Sequence, residues 1–311
     1  MLIINRRIFL KQSTRLASGF WAMNKATAFG PVTEEIKLTI LHTNDVHGHL
    51  DPFPNDNSKM AGLGGVAARA AAIESIRSKT DNVLLFDAGD IFQGTPYFNF
   101  FKGEPDIKAM NAMGYNACTL GNHDFDAGME NLAFQLQQAN FPAIVSNYDF
   151  TETPMDGKTI PYKIFHKQNM KIGVLGVGIE LKGLVPKELY GKTKYLEPVA
   201  QANKTAALLK QQGCELVICL SHLGDWYYDN KISDAILAKE SFGIDLVIGG
   251  HTHKLFEEPK MYKNKKGGDV IVHQAGWGGT HLGVLDYTIL LKNKKKLVET
   301  HTVVIAKKTS E

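Results

Sequence analysis

Cysteine is scarce in this chain, which has three among 311 residues. No two of them have the C-x-x-C spacing, and an odd number argues against a framework of disulfide bonds. Cys118, Cys214 and Cys219 each lie in or beside an apolar run, so we expect small core residues rather than reactive thiols. The scarcity excludes a disulfide-rich scaffold.

Long apolar runs are also missing. A helix that spans a membrane needs about 18 to 20 consecutive apolar residues, and the sequence has no such run, so we expect no membrane anchor. The composition is 44% hydrophobic and 22% charged, which is typical of a globular protein with a sizeable core.

Acidic residues are absent from the first 28 positions, which carry five basic ones: Arg6, Arg7, Lys11, Arg15 and Lys25. The rest of the chain has 30 basic and 32 acidic side chains, a balance of −2, although the whole sequence has a net charge of +3. A domain without a basic excess is not expected to bind nucleic acid.

Residues 1–30 are predicted to be an export signal rather than part of the fold. The segment NRRIFLK resembles the twin-arginine signal, although Asn5 replaces the usual Ser or Thr. A short apolar stretch follows at residues 16–23, with small residues suited to cleavage after Ala28. The alternative is a frayed N-terminal helix with two chance arginines. We expect an exported protein, periplasmic or extracellular.

Strand-like and helix-like patterns alternate from Glu35 onward, and residues 31–311 are predicted to form a single domain. Apolar runs such as VLLF, VICL and LVIG are typical of strands buried on both faces. Alternating elements of this kind predict an α/β fold, with sheets covered by helices. The Lys-rich segments 260–266 and 292–296 are predicted to be solvated hairpin turns.

Polar motifs follow five of the strand-like runs. They are Asp45-Val46-His47, Gly89-Asp90, Gly121-Asn122-His123-Asp124, Ser221-His222 and Gly249-Gly250-His251-Thr252-His253. Ligands of α/β folds gather at the carboxyl ends of strands, so these motifs are expected to meet at one rim. Imidazole and carboxylate groups together suit Zn, Mn, Fe, Co or Ni better than Ca or Mg.

A single D-x-H motif would carry little weight, because most isolated histidines are structural or exposed. That interpretation is kept for His42, His49, His166, His273, His281 and His301. Asp87 either hydrogen-bonds a ligand histidine or holds a turn. The ordered set of motifs is what predicts a metal site.

These motifs resemble those of the calcineurin-like metallophosphoesterases, and more narrowly the catalytic domain of the 5′-nucleotidase branch. The segments that carry the resemblance are LTILHTNDVHGHL, FDAGDIFQGTP, TLGNHDFDAG, SNYDF, LSHLGD, IDLVIGGHTH and QAGWGGTHLG, between Ile36 and Ile289. The resemblance implies a two-sheet β-sandwich flanked by helices, in α/β/β/α order. It also implies a dinuclear site for two divalent metal ions (Zn, Mn, Fe or Co).

The resemblance further implies a role for each motif residue. Asp45, His47 and His253 would hold the first metal, Asn122, His222 and His251 the second, and Asp90 would bridge them. His123 would be the catalytic histidine, oriented by Asp126, and would bind the phosphate together with Asn122. The branch also has Gln at the position of His253, which leaves the metal preference open.

The expected substrates are phosphate monoesters, in particular 5′-nucleotides. Phosphodiesters, nucleotide sugars and sulfur esters are alternatives for the same site, as is a non-catalytic metal-binding subunit. Nucleotidases of this branch usually carry a C-terminal domain that binds the nucleotide, and a separate protein could supply it here. Trp226, Tyr227 and Tyr228 could either wall a substrate pocket or pack into the fold.

Overall fold

The computed structural model describes residues 35–290 and 295–306, so the predicted export signal lies outside the described residues. The strands are β1 (Glu35–Thr43), β2 (Val83–Asp87), β3 (Ala117–Cys118), β4 (Ala143–Ile144), β5 (Tyr148–Asp149), β6 (Thr159–Ile160), β7 (Tyr162–Lys167), β8 (Met170–Val177), β9 (Lys194–Tyr195), β10 (Leu216–Ser221), β11 (Leu246–Ile248), β12 (Lys260–Lys263), β13 (Asp269–His273), β14 (His281–Leu290) and β15 (Lys295–Val304).

The helices are α1 (Val66–Arg77), α2 (Pro96–Phe101), α3 (Glu104–Met113), α4 (Gly128–Gln138), α5 (Lys187–Tyr190), α6 (Pro198–Gln211) and α7 (Asp234–Glu240), with a short 3-10 helix at His123–Phe125. Within the described residues, none of them combines the length and the apolar character that crossing a bilayer would need.

Two large sheets form the centre of the domain. The first has the order β15-β14-β1-β2-β3-β4-β6, and the second has the order β12-β13-β11-β10-β8-β7. Strands β1, β2, β3 and β4 run parallel to one another, as do β8, β10, β11 and β13. Antiparallel strands, such as β14 beside β1 and β7 beside β8, extend the sheets outward.

Three apolar layers hold the sheets and helices together. Leu84 of β2 packs between the sheets with Ile218 of β10, whereas its neighbour Leu85 points to the outer helices. Side chains of successive strand residues face opposite sides of a sheet, so a strand buried on both faces must be apolar throughout. Helices α1, α3 and α4 cover the first sheet, and α6 and α7 cover the second. The expected α/β/β/α sandwich is therefore confirmed.

One local expectation, a hairpin turn over residues 260–266, was correct only for its second half. Residues 260–263 of the first Lys-rich segment form strand β12, which pairs with β13, and a turn follows at residues 264–267. The side chains alternate between half-buried and exposed along β12, and Tyr262 packs beneath Lys239 of α7. Part of the second Lys-rich segment lies outside the described residues. The three cysteines are free and buried, as expected.

Candidate metal centre

Six side chains from the strand-end motifs lie in two groups at one rim of the sandwich. The first group is Asp45, His47 and His253, and the second is Asp90, His222 and His251. Within each group, one potential ligand atom of each residue lies within 4.8 Å of those of the other two. Each group could therefore hold a metal ion, and both are drawn from strands of both sheets.

The backbone at this rim is strained. Positive φ angles occur at Asp45 (50°), His47 (52°), Asp90 (55°), His251 (71°) and His253 (55°). Left-handed backbone is uncommon for residues other than glycine and costs on the order of 1 to 3 kcal/mol at each position. Five of the six grouped side chains thus stand on turns that only their surroundings can maintain.

Asp124 is one of the residues that maintain them. Its carboxylate accepts four backbone N–H groups: those of Gly121 (2.8 Å), Asp90 (3.1 Å), Ile91 (2.9 Å) and Phe92 (3.2 Å). Burial, with the nearby charge of Asp90, raises the pKa of Asp124 to about 7. These bonds fix the left-handed turn that carries Asp90. The sequence motif contained Asp124, but its role depends on contacts with residues more than 30 positions away.

Asn44 performs a similar role for the first group. Its side-chain amide donates to Asp45 Oδ2 (2.7 Å) and to Gly276 O (2.7 Å), and its Oδ1 accepts from Ala275 N (2.8 Å). The Asp45 carboxylate also accepts the backbone N–H of His251, at 2.9 and 3.0 Å from its two oxygens. One carboxylate therefore links the two groups.

Close approach at the rim also depends on Gly89, which has φ of 90°. A Cβ atom at this position would lie 2.6 Å from the backbone nitrogen of Gly121 and 2.9 Å from His222 Nδ1. No side chain can replace hydrogen there without moving the backbone that carries the second group.

Asn122, which the sequence predicts as a ligand of the second metal, directly precedes His123, whose backbone N–H donates to Asp90 Oδ1. Asn122 Oδ1 is buried and has no hydrogen-bond partner among the described residues, and the same is true of His222 Nε2. His222 Nε2 lies 3.0 Å from Asp90 Oδ2 without the geometry of a hydrogen bond, while His222 Nδ1 bonds to Ala88 O at 2.7 Å. Buried polar atoms without partners call for an explanation, and coordination of a metal ion is one. The donor set thus fits a transition metal.

The electrostatic field at the rim favours cations. Burial lowers the pKa of His222, but the charges of Asp90 and Asp45 outweigh burial and raise it to about 10. At Asp90 the balance runs the other way: burial raises the pKa, and the neighbouring histidines lower it far below the usual range. A buried ionised carboxylate such as that of Asp90 is stable only beside positive charge.

His123 and Asp126 lie together at the edge of the groups. His123 Nδ1 lies 2.7 Å from Asp126 Oδ2, and the His123 backbone N–H donates to Asp90 Oδ1 at 2.8 Å. The hydrogen bond with Asp126 raises the pKa of His123, although burial opposes the rise. The side chain of His123 is 38% exposed, so a molecule from solvent can reach it.

The structure also places the residues with open interpretations. Asp87 accepts from the Thr43 hydroxyl (2.6 Å) and from Gly89 N (2.9 Å), which favours the turn role. His42 and His273 are fully buried and bond through Nε2 and Nδ1 at 2.8 Å, joining the two sheets. Tyr227 packs into the fold by donating to Leu223 O, whereas Trp226 and Tyr228 are exposed.

The remaining histidines fit the interpretation given to them. His166 and His301 are exposed and His281 is half-buried. His49 is a structural residue of an aromatic cluster, because its ring stacks on Phe53 with 4.4 Å between the centroids. The cluster also includes Trp277, which the sequence did not single out and which stacks on His253.

A two-sheet sandwich between helices, with Asp, His and Asn side chains gathered at the ends of its parallel strands, is the architecture of the metallophosphoesterases. A family model described as calcineurin-like phosphoesterase matches residues 38–255. The chain therefore belongs to the calcineurin-like phosphoesterase family, a family of hydrolases.

Among individual proteins, the chain is similar to several 5′-nucleotidases. The chain is 34% identical over 300 residues to the snake venom 5′-nucleotidase of Gloydius brevicauda, covering 88% of this chain and 49% of that protein. It is 33% identical over 304 residues to the 5′-nucleotidase of Vibrio cholerae, covering 85% of this chain and 53% of that protein. The crystal structure of a 5′-nucleotidase precursor from Thermus thermophilus superposes with a TM-score of 0.76 at 32% identity, covering 87% and 55%. The chain spans about half the length of the relatives it matches.

Proposed function

We propose that this protein hydrolyses phosphate monoesters, with 5′-nucleotides as its substrates, at a dinuclear metal site. The observation that carries the proposal is the convergence of two ligand groups beside the His123–Asp126 pair. The names of the similar proteins support the choice of substrate, since both curated relatives described above are 5′-nucleotidases.

In this proposal Asp45, His47 and His253 would hold one divalent ion, Asn122, His222 and His251 would hold the other, and Asp90 would be a ligand of both. The unpartnered Asn122 Oδ1 supports its inclusion, since an amide oxygen is a metal ligand that needs no deprotonation. Two ions bound there would lower the pKa of a water molecule and neutralise charge on the attacking and leaving oxygens of an in-line displacement. Zn, Mn, Fe and Co all suit this donor set.

His123 acts on the phosphate directly. Asp126 occupies its Nδ1, so Nε2 is the nitrogen that donates a hydrogen bond to the phosphoryl group or to the leaving oxygen. The raised pKa of His123 favours the protonated ring, which stabilises negative charge as it develops on those oxygens. Asn122 would contact the same phosphate from the metal side.

The proposal is tested with metal-free protein to which Mn, Zn, Co or Mg is returned. We expect hydrolysis of AMP and of p-nitrophenyl phosphate with at least one transition metal, and little hydrolysis of UDP-glucose or of bis(p-nitrophenyl) phosphate. A preference for the diester or for the nucleotide sugar would contradict the monoesterase assignment. No turnover with any metal would favour a non-catalytic metal-binding subunit.

We also propose that residues 1–30 direct export and that residues 31–311 form the exported domain. A separate nucleotidase C-terminal-domain protein is a proposed partner, and the chain spans about half the length of the matched relatives. Mass determination of the exported protein tests cleavage after Ala28, and an unchanged full-length mass in the periplasm would contradict it. Copurification with a tagged copy tests the partner, and full activity of the isolated chain on AMP would make it unnecessary.

A further inference from the structure

His253 differs from the other histidines of the two groups. Its side chain is 40% exposed, compared with 6% for His47 and 0% for His222. His47 Nδ1 lies 3.3 Å from the carbonyl oxygen of Phe92, and His222 Nδ1 lies 2.7 Å from that of Ala88. Histidines that bind metals usually have their second nitrogen fixed in this way. Among the described residues, His253 Nδ1 has no such partner.

Apart from His47, whose Nε2 lies 3.0 Å from His253 Nε2, the aromatic residue that contacts the His253 ring is Trp277, through its indole. The two rings are stacked, with 5.3 Å between centroids and an interplanar angle of 11°. The indole of Trp277 also contacts the rings of His49 and Phe53. The ring centroids are 5.5 Å and 5.4 Å away, and both rings lie at 78° to the indole plane. His251, whose ring makes no hydrogen bond among the described residues, packs edge-on against the buried His222.

The loop that carries Trp277 is bonded to neighbours of the first group. Gly276 N donates to Lys254 O (2.9 Å), and Gly278 N donates to Asp45 O (2.7 Å). Gly278 has φ of 63°, and a Cβ atom there would lie 2.7 Å from the ring of Phe53. The loop therefore has little freedom to move relative to Asp45, and the indole cannot slide away from His253.

We propose that Trp277 is a positioning residue that fixes the His253 imidazole by stacking, and that the first group releases its metal ion more readily than the second. The proposal rests on the metal assignment in the proposed function. Its physical basis is that a stacked ring can still rotate in its plane, whereas a hydrogen-bonded ring cannot. The first group consequently depends on a contact that one substitution can remove.

The experiment titrates metal-free protein with Co²⁺ and follows its visible absorption bands, with bound metal counted by mass spectrometry. For the wild type we expect two equivalents that bind with different affinities. Trp277→Ala should weaken the weaker equivalent by roughly 10- to 100-fold, the range for loss of a residue that orients a ligand, and leave the tighter one unchanged. Trp277→Phe should restore most of the affinity, and the exposed, remote Phe134→Ala should not change it.

Two further variants keep the result interpretable. Trp277→Leu replaces apolar volume without a ring, so it should behave like Trp277→Ala even if the latter is poorly folded. In a His253→Ala background, Trp277→Ala should add no further loss, because its effect acts through His253. Wild-type affinity in both the Ala and Leu variants, or a full additional loss in the His253→Ala background, would overturn the proposal.

The test also separates this inference from the proposed function. Wild-type protein that binds two Co²⁺ ions with the expected Trp277 dependence, but hydrolyses no phosphate ester, would leave the positioning role standing and remove the enzyme assignment. Wild-type protein that binds no Co²⁺ would remove both.

Discussion

The two ligand groups use the same kinds of side chain but are held by different means. The second is enclosed: His222 is fully buried and bonded to a backbone carbonyl, and Asp90 stands on a turn that makes three bonds to Asp124. The first is open on one side, where His253 relies on an aromatic contact. The same ligand types can therefore be held rigidly in one group and loosely in the other.

The largest effect on this comparison is expected from removal of Asp90, the proposed bridge between the two groups. Asp90→Ala should reduce bound metal from two per chain to less than one, because the second group loses a ligand and both ions lose the bridging charge. Metal content after gel filtration is the measurement, and Asp156→Ala, at an exposed acid far from the rim in sequence, is the control. A variant that retained two equivalents would refute the bridge.

His123→Ala should leave metal binding by both groups unchanged and should lower only the rate of hydrolysis. We expect kcat on AMP to fall by roughly 10²- to 10⁴-fold, the usual contribution of a side chain that transfers or donates a proton. Metal content should stay at two per chain, since His123 belongs to neither group. The exposed His166→Ala serves as the matched control. If His123→Ala protein lost metal, its role would be that of a ligand.

Asp124→Asn should loosen the enclosed group selectively. The amide keeps the shape of the carboxylate but turns an NH2 group toward backbone donors, so two of the four N–H bonds are lost. Each buried group left without a partner costs about 1 to 3 kcal/mol. Urea unfolding should show that the free energy of unfolding falls by about 2 to 6 kcal/mol. Co²⁺ should bind less tightly at the second group than at the first. Unchanged stability would show that these four bonds do not stabilise the fold.

A smaller effect is expected at the buried His42–His273 pair, which joins the two sheets. Burial lowers the pKa of His273 to about 4 and that of His42 well below 6.5, with His273 adding to the latter shift. The unfolded chain binds more protons than the fold between pH 4 and 6.5, so stability should rise with pH across this window. At pH 4, the lowered pKa of His273 reduces the free energy of unfolding by about 3 kcal/mol relative to neutral pH.

Comparison of variants isolates this effect from other titrating groups. The free energy of unfolding at pH 4.5 and at pH 7 should differ less in His273→Asn than in the wild type, and His166→Asn should keep the wild-type difference. Equal pH dependence in all three proteins would show that the buried pair takes up its proton without unfolding.

Much of the rim was predictable because strand ends, unlike loops, have a location that the sheet determines. Asp45, Asp90 and His222 each follow an apolar run, and the fold brings such ends together. The supports of these residues were not predictable: Trp277 meets His253 only because the chain returns after β13. The Lys-rich strand β12 was missed because four residues that alternate on one exposed edge carry too little apolar pattern.

The five left-handed residues at the rim bear on how this scaffold could be engineered. Glycine would relieve the backbone strain at each of these positions, yet it would also delete the side chain that the turn presents. Selection for thermal stability alone would therefore favour glycine at these positions, and the resulting protein would be more stable but inactive. Any search for stabilised variants should hold these positions constant and look for gains in the helical layers.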